Sequence, residues 1–289
     1  MIVISHYARK IKAGNGSSMK EMNSPVAIVT GATAGIGLAT VNLLKNEGYT
    51  VYGTSRRPQS ESQNGITMLA CDVTSDESVS SVIEEVLRRS GRIDVLVNNA
   101  GFGLIAGAEE SSIEQAKSIF EVNVFGVMRM TNHVLPVMRQ QERGRVINIS
   151  SVVGFLPAPY YAIYGATKHA IGGYSQTLDH EVRGFGVRVI SIEPAFTRTS
   201  FETNLVAPDR PLAIYESARQ SMIDTSRQQV ENGDEPEVVA QVVLRAAQAL
   251  KPRLRYPAGP AARQLALMRR IVPEGIFNRI LRKQFKLPA

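Results

Sequence analysis

The chain has 289 residues, of which 44% are hydrophobic and 20% charged, an ordinary balance for a globular protein. This length accommodates one large α/β domain or at most two small ones. Its single cysteine, Cys71, excludes an internal disulfide and a multi-cysteine zinc site and suits a reducing compartment. No secretory signal or membrane span is visible in the sequence, which favours a cytoplasmic protein without a metal site.

The formal net charge of +7 is concentrated at the two ends of the chain. Residues 251–289 hold ten Lys and Arg against one acid, residues 1–22 hold four bases and one acid, and the body between them sums to −5. A basic surface spread over the whole domain would indicate nucleic-acid binding. Because the basic charge is confined to the ends and no reader motif accompanies it, we predict no nucleic-acid partner.

Residues 1–24 are basic, contain a Gly/Asn/Ser run and have no apolar periodicity, so they predict a disordered leader. Beyond them, short apolar strands alternate with helices, which predicts a parallel sheet covered on both faces. We expect one doubly wound α/β domain over 25–252, with about seven strands. The pattern indicates strands at 26–29, 49–54, 66–70, 95–97, 146–149 and 187–192. It also indicates a first helix that ends near residue 46 and further helices at 75–90, 112–141 and 161–183.

The last segment, 253–289, is predicted to be a short helical extension. Apolar residues recur at helical spacing over 261–272, Pro273 interrupts the pattern, and a second amphipathic stretch covers 274–285. Both helices are basic on their polar faces.

The first motif that carries chemistry is the glycine-rich turn after the first strand, residues 30–37. Glycines there allow a tight turn and a close backbone approach, so a pyrophosphate can lie on the N–H groups of the following helix. Such a turn can be purely structural, but its strand–turn–helix setting favours a dinucleotide site. The cofactor contacts that we expect here are Gly31, Thr33, Ala34, Gly35, Ile36 and Gly37.

The choice of dinucleotide is made about 20 residues further on, at the end of the second strand. An acid there binds the ribose 2′-hydroxyl of NAD, whereas an arginine accommodates the 2′-phosphate of NADP. This chain has no acid there but Ser55, Arg56 and Arg57. A guanidinium binds phosphate in a bidentate manner, so these residues favour NADP(H), with two solvated loop arginines as the alternative.

Tyr164 and Lys168 form the pair to which we assign the chemistry. Four residues apart on a helix, they share one face. A free phenol has a pKa near 10, and a neighbouring positive charge favours its phenolate. The pattern Tyr-x-x-x-Lys is common by itself, so its interpretation depends on the motifs around it.

Those motifs resemble the short-chain dehydrogenase/reductase family over about residues 25–250. Besides the glycine-rich turn, the shared features are Asn98-Asn99-Ala100-Gly101, Asn123, and Ser151 thirteen residues before Tyr164. Among the subgroups of this family, the chain most resembles the 17β-hydroxysteroid and retinol dehydrogenase-like subgroup. The resemblance implies a Rossmann fold and an NADP(H)-dependent oxidoreductase that interconverts a carbonyl and an alcohol, acting on the CH–OH group of donors.

The resemblance also implies a role for each matching residue. Tyr164 would be the general acid for carbonyl reduction and the base in reverse. Ser151 would hydrogen-bond the substrate oxygen, Lys168 would bind the nicotinamide ribose, and Asn123 would hold a water that links Lys168 to solvent. Ser150, Tyr160 and Tyr161 are rivals, but only Tyr164 has a lysine four residues on. The resemblance also implies that Asp72 contacts the adenine and that Pro194, Thr197 and Thr199 hold the nicotinamide carboxamide, with Ala195 where the family usually has glycine. The other cofactor contacts that it implies are Val73, Asn99, Ala100 and Gly101.

The substrate-side segments are apolar, and they favour a hydrophobic ketone, aldehyde or alcohol, such as a lipid-, steroid- or retinoid-like molecule. The alternative is that these residues only pack the fold; they are Phe102, Leu104, Val153, Phe155, Leu156, Phe196, Phe201, Leu205 and Val206.

Three further questions stay open from the sequence. A catalytically idle NADP-binding regulator or scaffold is the alternative function, and an epimerase or dehydratase a second one. The C-terminal extension would cap the substrate cleft, pack between subunits or lie peripherally on an anionic membrane; its short helices favour the first two. The resemblance implies a homodimer or homotetramer that pairs through the helices at 112–141 and 161–183.

Overall fold

The computed structural model describes residues 24–58, 60, 62–201 and 205–284, so the predicted leader lies almost wholly outside the described residues. The chain forms a sheet in the order β3-β4-β2-β1-β5-β6-β7-β8. All neighbours are parallel except the two-residue β3, which pairs antiparallel with β4 at the edge. The prediction of a doubly wound parallel sheet of about seven strands is confirmed. The strands are β1 Val26–Thr30, β2 Thr50–Ser55, β3 Ser62–Gln63, β4 Ile66–Ala70, β5 Val95–Asn98, β6 Gly144–Ile149, β7 Val187–Pro194 and β8 Arg255–Ala258.

Two apolar cores lie on opposite faces of this sheet. Ala27 and Val29 of β1 pack into one core, while Val26 and Ile28 pack into the other, as the alternation of a strand requires. Helices α1 Gly35–Asn46 and α7 Pro236–Gln248 cover the first face, and α2 Asp76–Ser90, α4 Gly126–Gln140 and α5 Ala162–Val182 cover the second. The strand order reverses at β1 and β5, and such a switch point opens a crevice at the carboxyl ends of the strands.

The helices follow the sequence prediction with two differences. The predicted helix 112–141 consists of α3 Ile113–Phe120, a π-helical turn Glu121–Phe125, and α4. The sequence analysis did not identify α6 Ala213–Glu231 or α7. The α2 helix begins where its pattern does, because the Ser75 hydroxyl accepts a hydrogen bond from the Ser78 N–H at 3.2 Å.

The C-terminal boundary differs from the prediction, because β8 lies inside the segment assigned to the extension. Arg255–Ala258 pairs in parallel with Ser191–Pro194 of β7 and completes the sheet. The strand contains Pro257 and no apolar run, as an edge strand can, and so it gave no strand signal. The extension proper is α8 Pro260–Ile271 and α9 Glu274–Gln284. Among the described residues, no helix combines the length and the apolar character needed to cross a bilayer.

Candidate active site

A cavity of about 370 Å³ lies at the carboxyl ends of the central strands, where the strand order reverses. It brings together residues that are up to 250 positions apart in the chain, between Gly31 and Leu281. The predicted site residues that line it are Gly31, Ala34, Gly35, Ile36, Asn99, Ala100, Gly101, Ser151, Tyr164, Lys168, Pro194, Thr197 and Thr199.

The glycine-rich turn forms one end of the cavity, and its glycines bring the backbone of the turn close to neighbouring groups. Gly31 and Gly35 have φ of 65° and 52°, a region that side chains disfavour. A Cβ on Gly37 would lie 2.1 Å from the Gly31 carbonyl oxygen. The Asn99 amide closes the turn, since its Nδ2 donates to the carbonyls of Thr30 and Gly31 at 2.9 and 3.0 Å. The turn therefore has no room for side chains at its glycines, where it presents its backbone.

The first turn of α1 is open to an anionic ligand. Its N-cap residue Ala34 makes no side-chain capping bond, and the turn contains no acid. Thr33 and Ala34 are exposed, and Ile36 is half-buried. Because N–H groups at a helix N-terminus attract negative charge, this turn fits a pyrophosphate.

A second polar site lies at the end of β2, outside the cavity. Arg56 and Arg57 are exposed there, and Ser55 is half-buried. Within the described part of the chain, the Ser55 Oγ is buried without a hydrogen-bond partner. Ser55 shares its strand face with Gly53, where an added Cβ would lie 2.8 Å from Ala32 of the glycine-rich turn. An unpartnered hydroxyl and two guanidiniums beside that turn fit a ribose phosphate.

Asp72 and Val73 follow β4 and also lie outside the cavity. The Asp72 carboxylate accepts hydrogen bonds from the backbone N–H and the hydroxyl of Thr74, which, together with the Arg56 charge, hold its pKa below the usual value. The Val73 side chain is 8% exposed and packs against Gly126 at the start of α4. The cofactor contact of Val73 stays a prediction.

Tyr164 and Lys168 lie one helical turn apart on α5 and face the same cavity. Both are 8% exposed, and the Lys168 Nζ lies 5.6 Å from the centroid of the Tyr164 ring. The Nζ also donates to the carbonyl of Ile149, at the end of β6, at 2.9 Å. Burial lowers the pKa of Lys168 from 10.5 to about 8. A cationic group in this position favours the phenolate form of Tyr164.

Ser151 lies two residues after the end of β6, at the cavity wall. Its hydroxyl accepts a hydrogen bond from the Val153 N–H at 3.3 Å and lies 3.5 Å from the Pro194 carbonyl oxygen. The rival Ser150 is buried, and its hydroxyl donates to the Lys168 carbonyl at 3.3 Å. Both serines line the cavity, but the Ser150 hydroxyl is bonded to the backbone of α5, whereas that of Ser151 is not.

The rival tyrosines make other contacts. The Tyr161 hydroxyl is 2.8 Å from the Ser226 Oγ of α6, and both residues are buried. Tyr160 has a φ of 63° and packs edge-on against the Tyr215 ring. These positions agree with the assignment of the acid–base role to Tyr164.

Asn123 lies in the π-helical turn, is 1% exposed and does not line the cavity. Its Oδ1 accepts from the Phe102 N–H at 3.1 Å, and its Nδ2 donates to the Phe102 carbonyl at 2.9 Å and to the Thr167 hydroxyl at 3.3 Å. The side chain therefore fixes the segment after β5 that carries Phe102. The predicted water relay to Lys168 stays a prediction.

The segment after β7 closes the cavity over the glycine-rich turn. The Thr199 side chain touches Gly35, since a Cβ built there would lie 3.0 Å from it. Thr197 forms an isolated bridge with Asp234, which ties the segment to the turn before α7. Ala195 packs in the apolar cluster that the extension shares.

The rest of the cavity is walled by apolar side chains. Of the residues that the sequence analysis named, Phe102, Val153, Leu156, Phe196 and Phe201 line it. The other four, Leu104, Phe155, Leu205 and Val206, lie outside this wall. A further set of lining residues comes from α6 and from the extension: Met222, Val230, Leu265, Met268, Phe277, Ile280 and Leu281. The α6 residues were not predicted from the sequence, whereas capping of the cleft by the extension was one of the roles that the sequence left open.

Comparison with known proteins agrees with this arrangement. The family model described as short chain dehydrogenase matches residues 25–210. A 3-ketodihydrosphingosine reductase from Bacteroides thetaiotaomicron is 40% identical over 183 residues, covering 63% of this chain and 68% of that protein. A short-chain dehydrogenase from Streptomyces avermitilis superposes with a TM-score of 0.76 at 31% identity, covering 91% of this chain and 96% of that one. A serine dehydrogenase solved with NADP+ superposes with a TM-score of 0.69 at 26% identity, covering 80% and 93%.

The chain belongs to the short-chain dehydrogenase family, and it is an oxidoreductase of that type. This confirms the resemblance that the motifs indicated. The 17β-hydroxysteroid and retinol dehydrogenase-like subgroup stays a prediction.

Proposed function

We propose that this protein is an NADP(H)-dependent oxidoreductase that interconverts an apolar carbonyl and its alcohol, with Tyr164 as the acid–base group. The observation that carries the proposal is the convergence of Ser151, Tyr164 and Lys168 on one cavity. A backbone-lined cradle for a dinucleotide forms one end of that cavity, and apolar side chains wall the rest.

The cofactor proposal rests on the fit of the residues present. The glycine cradle and the uncapped α1 terminus suit a pyrophosphate, and a structural neighbour of the same fold was solved with NADP+. Arg56, Arg57 and the unpartnered Ser55 hydroxyl favour a 2′-phosphate over a bare ribose. The bound nicotinamide supplies or accepts the hydride.

The residues of the chain then bind the substrate and move the proton. Ser151 orients the carbonyl oxygen and stabilises the negative charge that develops there. Tyr164 donates its phenolic proton to that oxygen during reduction and takes it back during oxidation. The buried Lys168 ammonium favours the phenolate and so makes the proton available near neutral pH. An idle regulator on this fold would not need these three groups to meet in one cavity.

The apolar wall supports a hydrophobic substrate. The side chains that reach the cavity beyond Ser151 and Tyr164 are aliphatic and aromatic, and they come from three parts of the chain: the strand ends, α6 and the extension. α8 and α9 thereby cap the substrate end of the cavity. The relative from Bacteroides thetaiotaomicron, named as the reductase of 3-ketodihydrosphingosine, also favours an apolar carbonyl.

The test is the rate of NADPH oxidation with a homologous series of methyl ketones. Burial of each added methylene stabilises the complex by about 0.8 kcal/mol, so we expect kcat/KM to rise about fourfold per methylene until the cavity is full. A rate that is highest for small polar carbonyls and falls along the series would overturn the substrate assignment. It would leave the family assignment intact.

We also propose a cytoplasmic location and self-association. The buried free thiol of Cys71 suits a reducing compartment. Phe125, at the junction of the π-helical turn and α4, is 47% exposed beside the predicted pairing helices. Sedimentation analysis that gave only a monomer at micromolar concentration would contradict the self-association.

A further inference from the structure

The helices α8 and α9 have an outer face that no other described part of the chain covers. On α8, Leu267 and Ile271 are 59% and 67% exposed; on α9, Ile276 and Ile280 are 51% and 43% exposed. The members of each pair are four residues apart and therefore share one side of their helix. These short helices thus expose two aliphatic pairs.

Basic side chains alternate with these aliphatic ones. Arg263 and Arg270 flank Leu267 on α8, while Arg279 and Lys283 follow Ile276 and Ile280 at helical spacing on α9. The only acid between 260 and 284 is Glu274. We call the following set the outer face: Arg263, Leu267, Arg270, Ile271, Ile276, Arg279, Ile280 and Lys283.

The opposite sides of both helices are buried against the same part of the domain. Ala262 is fully buried and Phe277 is 4% exposed, and both pack with Val152 and Leu156 beside the cavity. Because the inner sides of α8 and α9 meet one cluster, their outer sides both point away from the domain. The extension is therefore attached to the domain by the inner sides of α8 and α9, and its outer face is left uncovered by the described part of the chain.

We propose that the outer face binds the surface of an anionic lipid bilayer, with α8 and α9 lying in the plane of the interface. Amphipathic helices that carry Lys and Arg beside aliphatic residues bind in this way: the apolar side chains enter the headgroup boundary and the cations contact anionic lipids. The charge distribution orients the molecule, since residues 251–289 hold ten bases against one acid while the body of the chain sums to −5.

The bound orientation connects the membrane with the cavity. Ile280 belongs to the outer face and also lines the cavity, so the cavity mouth borders the surface that meets lipid. A hydrophobic carbonyl dissolved in the bilayer thus has a short path to Tyr164. This last step rests on the proposed function, whereas the membrane binding itself does not.

Two other occupants of the outer face fit less well. A second copy of the chain, related by a twofold axis, would place these basic residues opposite the same basic residues. A nucleic acid would use the cations but gains nothing from aliphatic side chains; single-strand binders use aromatic ones. The aliphatic pairs and the positive charge together select a lipid surface.

The experiment is co-sedimentation of the full-length protein with vesicles, without nucleotide or substrate, so that it does not depend on the proposed activity. Vesicles of phosphatidylcholine alone are compared with vesicles that contain phosphatidylglycerol. We expect binding only to the anionic vesicles, and an Arg270→Glu/Arg279→Glu variant to bind about tenfold more weakly or worse. The control, Lys117→Glu/Arg139→Glu, makes the same charge change at exposed positions on α3 and α4 and should keep most of the binding.

A second pair of variants separates a lipid surface from a polyanion. Ile271→Ser/Ile276→Ser should weaken vesicle binding severalfold and leave binding to a single-stranded RNA unchanged. The control Ile214→Ser/Leu250→Ser alters side chains that are 84% and 96% exposed elsewhere, and should have little effect. Absence of binding to anionic vesicles would overturn the proposal, as would an equal effect of both charge reversals, or RNA binding as tight as vesicle binding. A dimer that the Ile271→Ser/Ile276→Ser variant dissociates would assign the face to a second copy instead.

Discussion

The two ends of the cavity are built differently. At the nucleotide end the wall is backbone: Gly37 has no space for a Cβ, and the Asn99 amide bonds two carbonyls of the turn. At the substrate end the wall includes apolar side chains from α6, α8 and α9, which differ in size. A backbone wall tolerates almost no substitution, whereas a side-chain wall can change its shape by single substitutions. We therefore expect substitutions at the two ends to have different consequences.

The largest effect is expected between the two ends, at Tyr164. Tyr164→Phe removes only the hydroxyl, and since that group transfers the proton, kcat/KM should fall by about 10²- to 10⁴-fold while NADPH still binds. Steady-state rates and an NADPH titration measure the two quantities. Tyr161→Phe is the matched control, because Tyr161 also lines the cavity but its hydroxyl contacts Ser226; the substitution should lower the free energy of unfolding by about 1 kcal/mol and keep most activity. A greater loss of activity in Tyr161→Phe would reverse the assignment.

The next effect tests the backbone wall. Gly37→Ala would place a methyl group 2.1 Å from the Gly31 carbonyl oxygen, so the turn must move, and we expect at least a hundredfold weaker NADPH binding. Gly173→Ala on α5 is the control, since a Cβ there meets no atom within 4 Å. That variant should bind normally and be slightly more stable, because alanine favours a helix by about 1 kcal/mol over glycine. Normal binding by Gly37→Ala would mean that the turn is not the nucleotide cradle.

The third prediction concerns the pH dependence of stability. Burial lowers the pKa of Lys168 from 10.5 to about 8, so between these values the unfolded chain keeps a proton that the folded chain has lost. The contribution of Lys168 to the free energy of unfolding should therefore rise with pH from about 8 to 10.5 and be constant below that window. Urea titrations of the wild type and of Lys168→Met across this pH range measure this contribution as the difference between the two free energies of unfolding. A difference that stays flat would show that the ammonium is not desolvated.

The smallest effect is expected at the side-chain wall. Phe277→Ala shortens a residue that is 4% exposed and lines the cavity from α9. We expect KM for a long-chain ketone to rise about three- to tenfold, with kcat and NADPH affinity almost unchanged, because the lost contact binds substrate without touching the reacting atoms. Phe185→Ala, at a remote residue that is 49% exposed, should leave all three unchanged. A fall in NADPH affinity with Phe277→Ala would show that the substrate end also affects nucleotide binding, which would contradict the separation of the two ends.

The contrast between the ends also explains what the sequence could predict. The position of the nucleotide end could be predicted, because a glycine-rich turn and a Tyr-x-x-x-Lys pair leave local signals with fixed spacing; its individual cofactor contacts stay predictions. The alternation of apolar strands and helices gave the sheet and most of its helices. Asn123 was found by resemblance, but its contacts with Phe102 were not, since they depend on a π-helical turn that no periodicity indicates.

The residues that form the substrate end could not be predicted from the sequence in the same way. Met222 of α6 and Phe277 of α9 reach the cavity from segments that the chain brings back over the sheet, and helical spacing shows an apolar side without showing its partner. The edge strand β8 was not predicted, because Arg255, Tyr256 and Pro257 do not form the apolar alternation that indicates a strand. These features are tertiary, and they became visible only in the structure.

The most direct test of the account is the binding of NADPH and NADH, each followed through its own emission, which is undisturbed because the chain has no tryptophan. We predict that NADPH binds more tightly than NADH, and that Arg56→Ala/Arg57→Ala weakens NADPH alone by about 10- to 100-fold, as loss of charged hydrogen bonds implies. Arg88→Ala/Arg89→Ala, the same charge change on α2, should leave both affinities unchanged. Equal or tighter binding of NADH by the wild type would contradict the NADP(H) assignment, and no binding of either nucleotide would contradict the account of the cavity itself.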